Sequence, residues 1–287
     1  MDILDYAFMQ RALIAAALVG ITAPAIGTYL VQRRQALMGD GLGHVAMTGV
    51  ALGFVLQTSP VWMATLVAVV GAVGMELIRA RGRTSGDVAL AMLFYGGLAG
   101  GVMIINLGGG QTASLLGSMF GSITTVAAED VTAMAILAAF VLAVAVGLRR
   151  QLFAVCQDEE FARVTGLPVR ALNLLMAVTA AVTVTVAMRI VGLLLVSAML
   201  VIPVAAAQRI TRSFATTLGL AMAISVTVSL TGTAATYYIN VPSGATIVLL
   251  AIGVFMVLTA LSAPLARRRA RAARATEEVC TRDDVKV

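Results

Sequence analysis

Asp40 and His44 are the residues of this chain best suited to chemistry. His44 is the only histidine in 287 residues, and it lies four positions after an aspartate. From Gly41 to Met75 no Asp, Glu, Lys or Arg occurs. A helix places positions i and i+4 on one face. A carboxylate and an imidazole on one face, in an apolar setting, form half of a transition-metal site. Two ligands do not close such a site, because zinc takes about four N, O or S donors. A two-fold axis duplicates every group beside it. Two copies of the helix would therefore supply two Asp40 and two His44, an N2O2 set. From the residues alone a second reading stands: Asp40 caps a helix start and His44 is a satisfied interior histidine.

The setting is a membrane. Hydrophobic residues make up 60% of the chain and charged residues 12%, against about 25% charged in soluble domains. Mean hydropathy is +0.98. Nine apolar runs carry no charge: Ala12–Gln32, Gly41–Gln57, Val61–Met75, Val88–Leu107, Val131–Leu148, Ala171–Met188, Ile190–Gln208, Ser213–Tyr238 and Gly244–Ala266. A helical span needs roughly 20 apolar residues. The expected fold is all-α and polytopic, with eight or nine transmembrane helices plus short outer and cytosolic coupling helices. The sixth and seventh runs meet at Arg189, which predicts a tight hairpin or one broken element there. Residues 1–266 are expected to form the membrane domain and 267–287 a disordered cytosolic tail, basic and then acidic, whose first part is expected to touch anionic lipid.

Arginine clusters at 33–34, 79–83, 149–150, 163–170, 209–212 and 267–271 set the orientation. Positive loops stay inside. The N-terminus is then external and the C-terminus cytosolic, in the inner (plasma) membrane. Trp62, Tyr237 and Tyr238 fall at the outer boundary. The pI near 10 follows from these loop arginines and does not point to nucleic acid. The acidic start, with Asp2 and Asp5, does not read as a cleaved signal peptide. Cys156 and Cys280 both fall in cytosolic segments, so no structural disulfide is expected. The fifteen methionines are scattered through the spans and read as packing.

Two connections are more than turns. Gly108–Ala128 is uncharged and glycine-rich up to Ala128. It reads either as a short or re-entrant outer segment or as a linker. The inner loop 149–170 carries Asp158-Glu159-Glu160-Phe161 followed by Gly166 and Pro168. Acidic residues at a helix start and glycine after its end predict a short amphipathic helix, with a solvated turn as the alternative. Glycines recur at four-residue spacing (39/43, 49/53, 96/100, 97/101, 117/121), a pattern that lets helix backbones approach closely in lipid.

Some chemistry is excluded. The one lysine is Lys286, so no phosphate-binding Gly-x-x-x-x-Gly-Lys loop exists. ATP-driven work would need a separate subunit. A zinc-protease histidine pair is absent, as is a plausible hydrolytic triad. A channel or secondary transporter acting alone is the competing class, since such folds use broken helices near the midplane.

The stretch from Arg34 to Gly53, with Asp40, His44 and Gly49, resembles the second-helix motif of the zinc/manganese-uptake family of ABC transporter permeases. Leu116-Gly117-Ser118-Met119-Phe120-Gly121, followed by Glu129-Asp130, is similar to that family's outer segment. Asp158 to Gly166 is similar to its coupling segment. The resemblance runs from about residue 10 to 265. It implies that Asp40 and His44 serve metal passage, that Leu116, Gly117, Phe120 and Gly121 belong to an outer gate, and that Asp158, Glu159, Glu160, Phe161 and Gly166 couple to an ATPase. It further implies a homodimer, two cytosolic ATPase subunits that use ATP, an extracytoplasmic metal-binding protein, and transported Zn2+ (or Mn2+ or Fe2+) with no permanently bound cofactor. Two positions depart from the family pattern: Thr48 stands where proline is usual, and Gly43 where serine is common.

Overall fold

The structure, a computed structural model, describes residues 6–81, 86–109, 127–239 and 241–261. These form helices α1 (Ala7–Gln32), α2 (Met38–Val55), α3 (Pro60–Ala80), α4 (Gly86–Leu107), α5 (Ala128–Gly147), α6 (Arg149–Gln157), α7 (Glu159–Val164), α8 (Val169–Val191), α9 (Leu193–Gln208), α10 (Phe214–Ile239) and α11 (Ser243–Leu261). Among the described residues no strand occurs. Seven helices among the described residues are long and apolar enough to cross a membrane. The 18-residue α2 and the 16-residue α9 occupy the other two predicted runs. The chain is a polytopic, all-α integral membrane protein. The predicted outer segment with Leu116, Gly117, Phe120 and Gly121, and the tail 267–287, lie outside the described residues.

Helix α1 is the hub, packed against α10, α9 and α5. Helix α2 lies between α4 and α3. The glycine pairs explain how closely. A Cβ added at Gly49 would stand 2.5 Å from Ala64 Cα, and one at Gly53 would stand 2.6 Å from Pro60 Cα. That pair is the α2–α3 seam. The 97/101 pair faces α2, and the 39/43 pair faces Leu200 and Leu193 of α9. In lipid the hydrophobic effect adds little between helices, so such close backbone contact carries the association.

Two expectations need correction. The break between the sixth and seventh runs is at Gly192, not Arg189. Gly192 has φ 87°, a left-handed value that glycine adopts without steric cost. Arg189 instead completes the last turn of α8 and pairs with Asp130 of α5 at 3.0 Å. Asp130 also accepts the backbone N–H of Ala127 at 3.1 Å, capping α5. The inner loop, too, differs from expectation: it holds two helices rather than one. Helix α6 was hidden because it is short and polar, yet it buries Leu152 and Val155 at i,i+3 spacing.

Helices α1 and α3 both end beside Glu159 at the α7 end of the bundle. The exposed Trp62 starts α3 at the opposite end, where Tyr6 meets Tyr237 with ring centroids 6.3 Å apart. Aromatic residues at a span's end suit a lipid–water boundary.

Candidate functional site

Helix α2 brings Asp40 and His44 together as the four-residue spacing predicts. His44 Nε2 lies 3.9 Å from Asp40 Oδ1, beyond hydrogen-bond range. His44 is 5% exposed, and its Nδ1 is buried with no hydrogen-bond partner. The imidazole is therefore not the satisfied interior histidine of the alternative reading. Asp40 does not cap either. It sits in the first turn of α2, three residues after the N-cap Leu37, and that helix start carries no side-chain cap at its N-cap. Its contact is the Ser197 hydroxyl of α9, which donates to Oδ1 at 3.4 Å.

A cavity of about 380 Å³ opens beside Asp40, lined by Leu37, Leu90, Ala91, Phe94 and Tyr95. The Phe94 ring stands edge-on to His44, centroids 4.4 Å apart. One wall of this site is therefore α4, which the sequence reading did not include. Gly97 is what lets α4 come so near: a Cβ there would stand 2.6 Å from Val45 N. Thr48, at the position where the family resemblance leads one to expect proline, donates its hydroxyl to Gly97 O at 2.6 Å and ties the two helices. At Gly43, the space a serine side chain would take is filled by Leu193, whose Cδ1 lies 1.8 Å from the virtual Cβ.

Within one chain the donors stop there. No group of three or more His, Cys, Asp or Glu gathers among the described residues. One carboxylate and one imidazole with an uncommitted nitrogen can hold a divalent cation only as half of a larger set. Phe94, Tyr95 and Ser197 are the neighbours that sequence reasoning missed. Phe94-Tyr95 is an aromatic pair inside an apolar run of a chain that is 5% aromatic, and that was the available signal. Ser197 gave none.

The segment 158–166 folds as predicted. Asp158 caps α7, accepting the N–H groups of Glu160 at 2.9 Å and Phe161 at 3.0 Å. Gly166, with φ 83°, ends it, and its N–H donates to Arg163 O at 3.1 Å. This is the left-handed glycine stop common at helix C-termini. Glu160, Phe161 and Val164 face outward, whereas Ala162 is fully buried. Glu159 points the other way. Its Oε1 accepts from Arg33, from Arg79 at 2.7 Å and from Asn173 at 3.2 Å. Burial pushes this carboxyl upward, but the Arg79 hydrogen bond and the charges of Arg33 and Arg79 outweigh it and hold the group below the usual carboxylate value.

The molecule is thus a membrane-embedded helical bundle with an Asp–His pair on α2 and a short capped helix at one end. The chain belongs to the ABC 3 transport family, which matches residues 5–262. It is similar to the manganese transport system membrane protein MntC of Halalkalibacterium halodurans, 31% identical over 88% of this chain and 87% of the relative. A probable iron transport system membrane protein of Haemophilus influenzae is 30% identical over 90% of this chain and 95% of its own length. Among solved structures, a chain of PsaBC from Streptococcus pneumoniae in complex with Fab superposes with a TM-score of 0.78 at 30% identity, covering 89% of this chain and 92% of that one.

Proposed function

We propose that this chain is the permease subunit of an ATP-driven importer of divalent transition metal. The observation that carries the proposal is the Asp40–His44 pair, one helical turn apart, with Asp40 on the wall of a cavity and His44 holding a buried, uncommitted imidazole nitrogen. Two copies meeting along α2 and its neighbours supply two carboxylates and two imidazoles, enough for a four-donor site that forms and dissolves as the bundle moves.

The permease performs no covalent chemistry. A binding protein on the outer face delivers the ion, and two cytosolic ATPase subunits dock on α7 through Phe161 and its exposed neighbours. The N-terminus lies outside and the C-terminus in the cytosol, across the inner membrane. Nitrogen and oxygen donors serve zinc, manganese and iron(II) alike. Zinc rests on the resemblance to the zinc/manganese-uptake motif and on a slight preference from ligand softness, whereas the relatives described above carry manganese and iron in their names. That favours manganese or iron(II) as the cargo.

The test is metal uptake by the reconstituted complex with Asp40→Ala or His44→Ala. Uptake is expected to be lost in both, and wild-type uptake in either rejects the site. Competition among Zn2+, Mn2+ and Fe2+ in the same vesicles identifies the cargo. Proteoliposomes of the chain alone address the stand-alone transporter: metal entry without ATP or partners would favour that class instead.

A further inference from the structure

We propose that Glu159 is a positioning residue that ties α7 to three transmembrane helices and so transmits movement of α7 to the Asp40–His44 pair. The inference rests on the reading of α7 as the ATPase-docking helix. It reverses the role that the family resemblance assigns to Glu159, which there belongs to the docking segment itself.

The exposed side chains of α7, Glu160, Phe161 and Val164, look away from the bundle. Ala162 packs into the bundle as an apolar contact, and Glu159 is the charged residue of that helix whose side chain bonds to the neighbouring helices. Its carboxylate accepts donors from three separate elements: Arg33 just after α1, Arg79 near the end of α3, and Asn173 in α8. Arg79 is itself held in a fork by Glu76, through Nε at 3.0 Å and Nη2 at 2.7 Å. Such bidentate pairs fix orientation as well as distance. Two arginines therefore balance two glutamates. The side chains of Arg33 and Glu76 are only 5% and 6% exposed. The Arg79 side chain is 20% exposed and that of Glu159 32%, so the joint is held chiefly from its buried side, where separating Arg33 or Glu76 from its partner would leave a buried charge unpaired.

From the joint the path to the site is short. Arg79 belongs to α3, and α3 meets α2 backbone to backbone at Gly49–Ala64 and Gly53–Pro60. Helix α2 carries Asp40 and His44. A displacement of α7 that pulls α3 through Arg79 therefore shifts the metal-type donors. Two discrete arrangements of such packed elements are what energetic coupling between distant sites requires.

The experiment uses the complete transporter in proteoliposomes, with ATP hydrolysis and Mn2+ and Zn2+ uptake measured in the same vesicles. For Glu159→Gln, the ATPase subunits are expected to co-purify and hydrolyse ATP as in wild type. The uptake-to-hydrolysis ratio falls about ten-fold, within the usual range of coupling between sites. Glu159→Asp, which keeps the charge but shortens the reach, recovers part of the ratio. Phe161→Ala is expected to lose co-purification instead. An unchanged ratio in Glu159→Gln overturns the proposal, as does loss of ATPase docking by that variant. If Glu159→Gln does not reach the membrane, Asn173→Leu removes one bond of the hub and leaves its charges intact. A lowered ratio in that variant supports the proposal, and an unchanged one overturns it. If the wild-type complex shows no ATP-dependent metal uptake, the importer reading itself has failed, a result separate from either variant's outcome.

Discussion

Gly97 packs directly against His44. A methyl group added at Gly97 would come within 2.7 Å of the His44 carbonyl carbon, because α4 and α2 touch there through backbone atoms. The obstacle is main chain, so no side-chain rotation relieves it. Gly97→Ala should destabilise the protein by about 1–3 kcal/mol, the usual cost of overpacking, and lower metal uptake. Its neighbour Gly96 meets nothing within 4 Å. Gly96→Ala should leave both unchanged. Thermal melting in detergent, with uptake in vesicles, checks the pair.

Ser197 is expected to tune the site rather than form it. Its hydroxyl holds Asp40 Oδ1 at 3.4 Å from a different helix. Removing a partner that orients a ligand typically costs about 10–100-fold in metal affinity. Ser197→Ala should raise the KM for uptake within that range, whereas Asp40→Ala should abolish transport. Uptake against metal concentration separates the two, and a Ser197→Ala chain with wild-type KM would dismiss the second helix from the site.

The ion-pair hub makes stability depend on pH in one direction. Glu159 has a folded value below its ordinary 4.5. Its contribution is complete above that ordinary value and is lost as pH falls through the folded one. Wild type should therefore melt at higher temperature than Glu159→Gln at neutral pH. The gap should hold down to about pH 5 and close in more acidic solution. Melting curves from neutral pH down to acid, run on both chains in parallel, give the answer.

Cys156 should be inert. Burial pushes its thiol up to about 12, with Glu159 adding to the rise and Arg33 opposing it. The thiolate is the reactive form, and almost none is present at neutral pH. A Cys280→Ser chain should resist maleimide at pH 7 when folded and label fully once denatured. Rapid labelling of the folded chain would contradict the packing of Cys156 against Tyr29 O and Met176 Sδ.

Much of the architecture was legible in the sequence, and for a simple reason. Charge is so costly in lipid that uncharged runs mark the spans, and among the described residues each of the nine runs holds a helix. The Asp40–His44 pairing followed from helical spacing alone. Glu159 shows where legibility ends. Its neighbours Asp158 and Glu160 look equivalent in sequence, yet one caps, one faces solvent and one enters the bundle. Only the arginines contributed by α1 and α3, 126 and 80 positions away along the chain, make the distinction. Gly192 was likewise unreadable, since Arg189 drew the break to itself by its charge while its true partner, Asp130, lay in another helix.

Leu200 engages two glycines by different means. Its backbone oxygen would lie 2.0 Å from a Cβ at Gly27, but at Gly39 the obstacle is its Cδ1, at 2.3 Å. The two positions therefore face unequal evolutionary freedom. A side chain at 39 becomes tolerable once residue 200 shrinks, so those sites can drift as a matched couple. Position 27 has no such accomplice, and natural variation there should be confined to glycine for as long as α1 and α9 keep their present crossing.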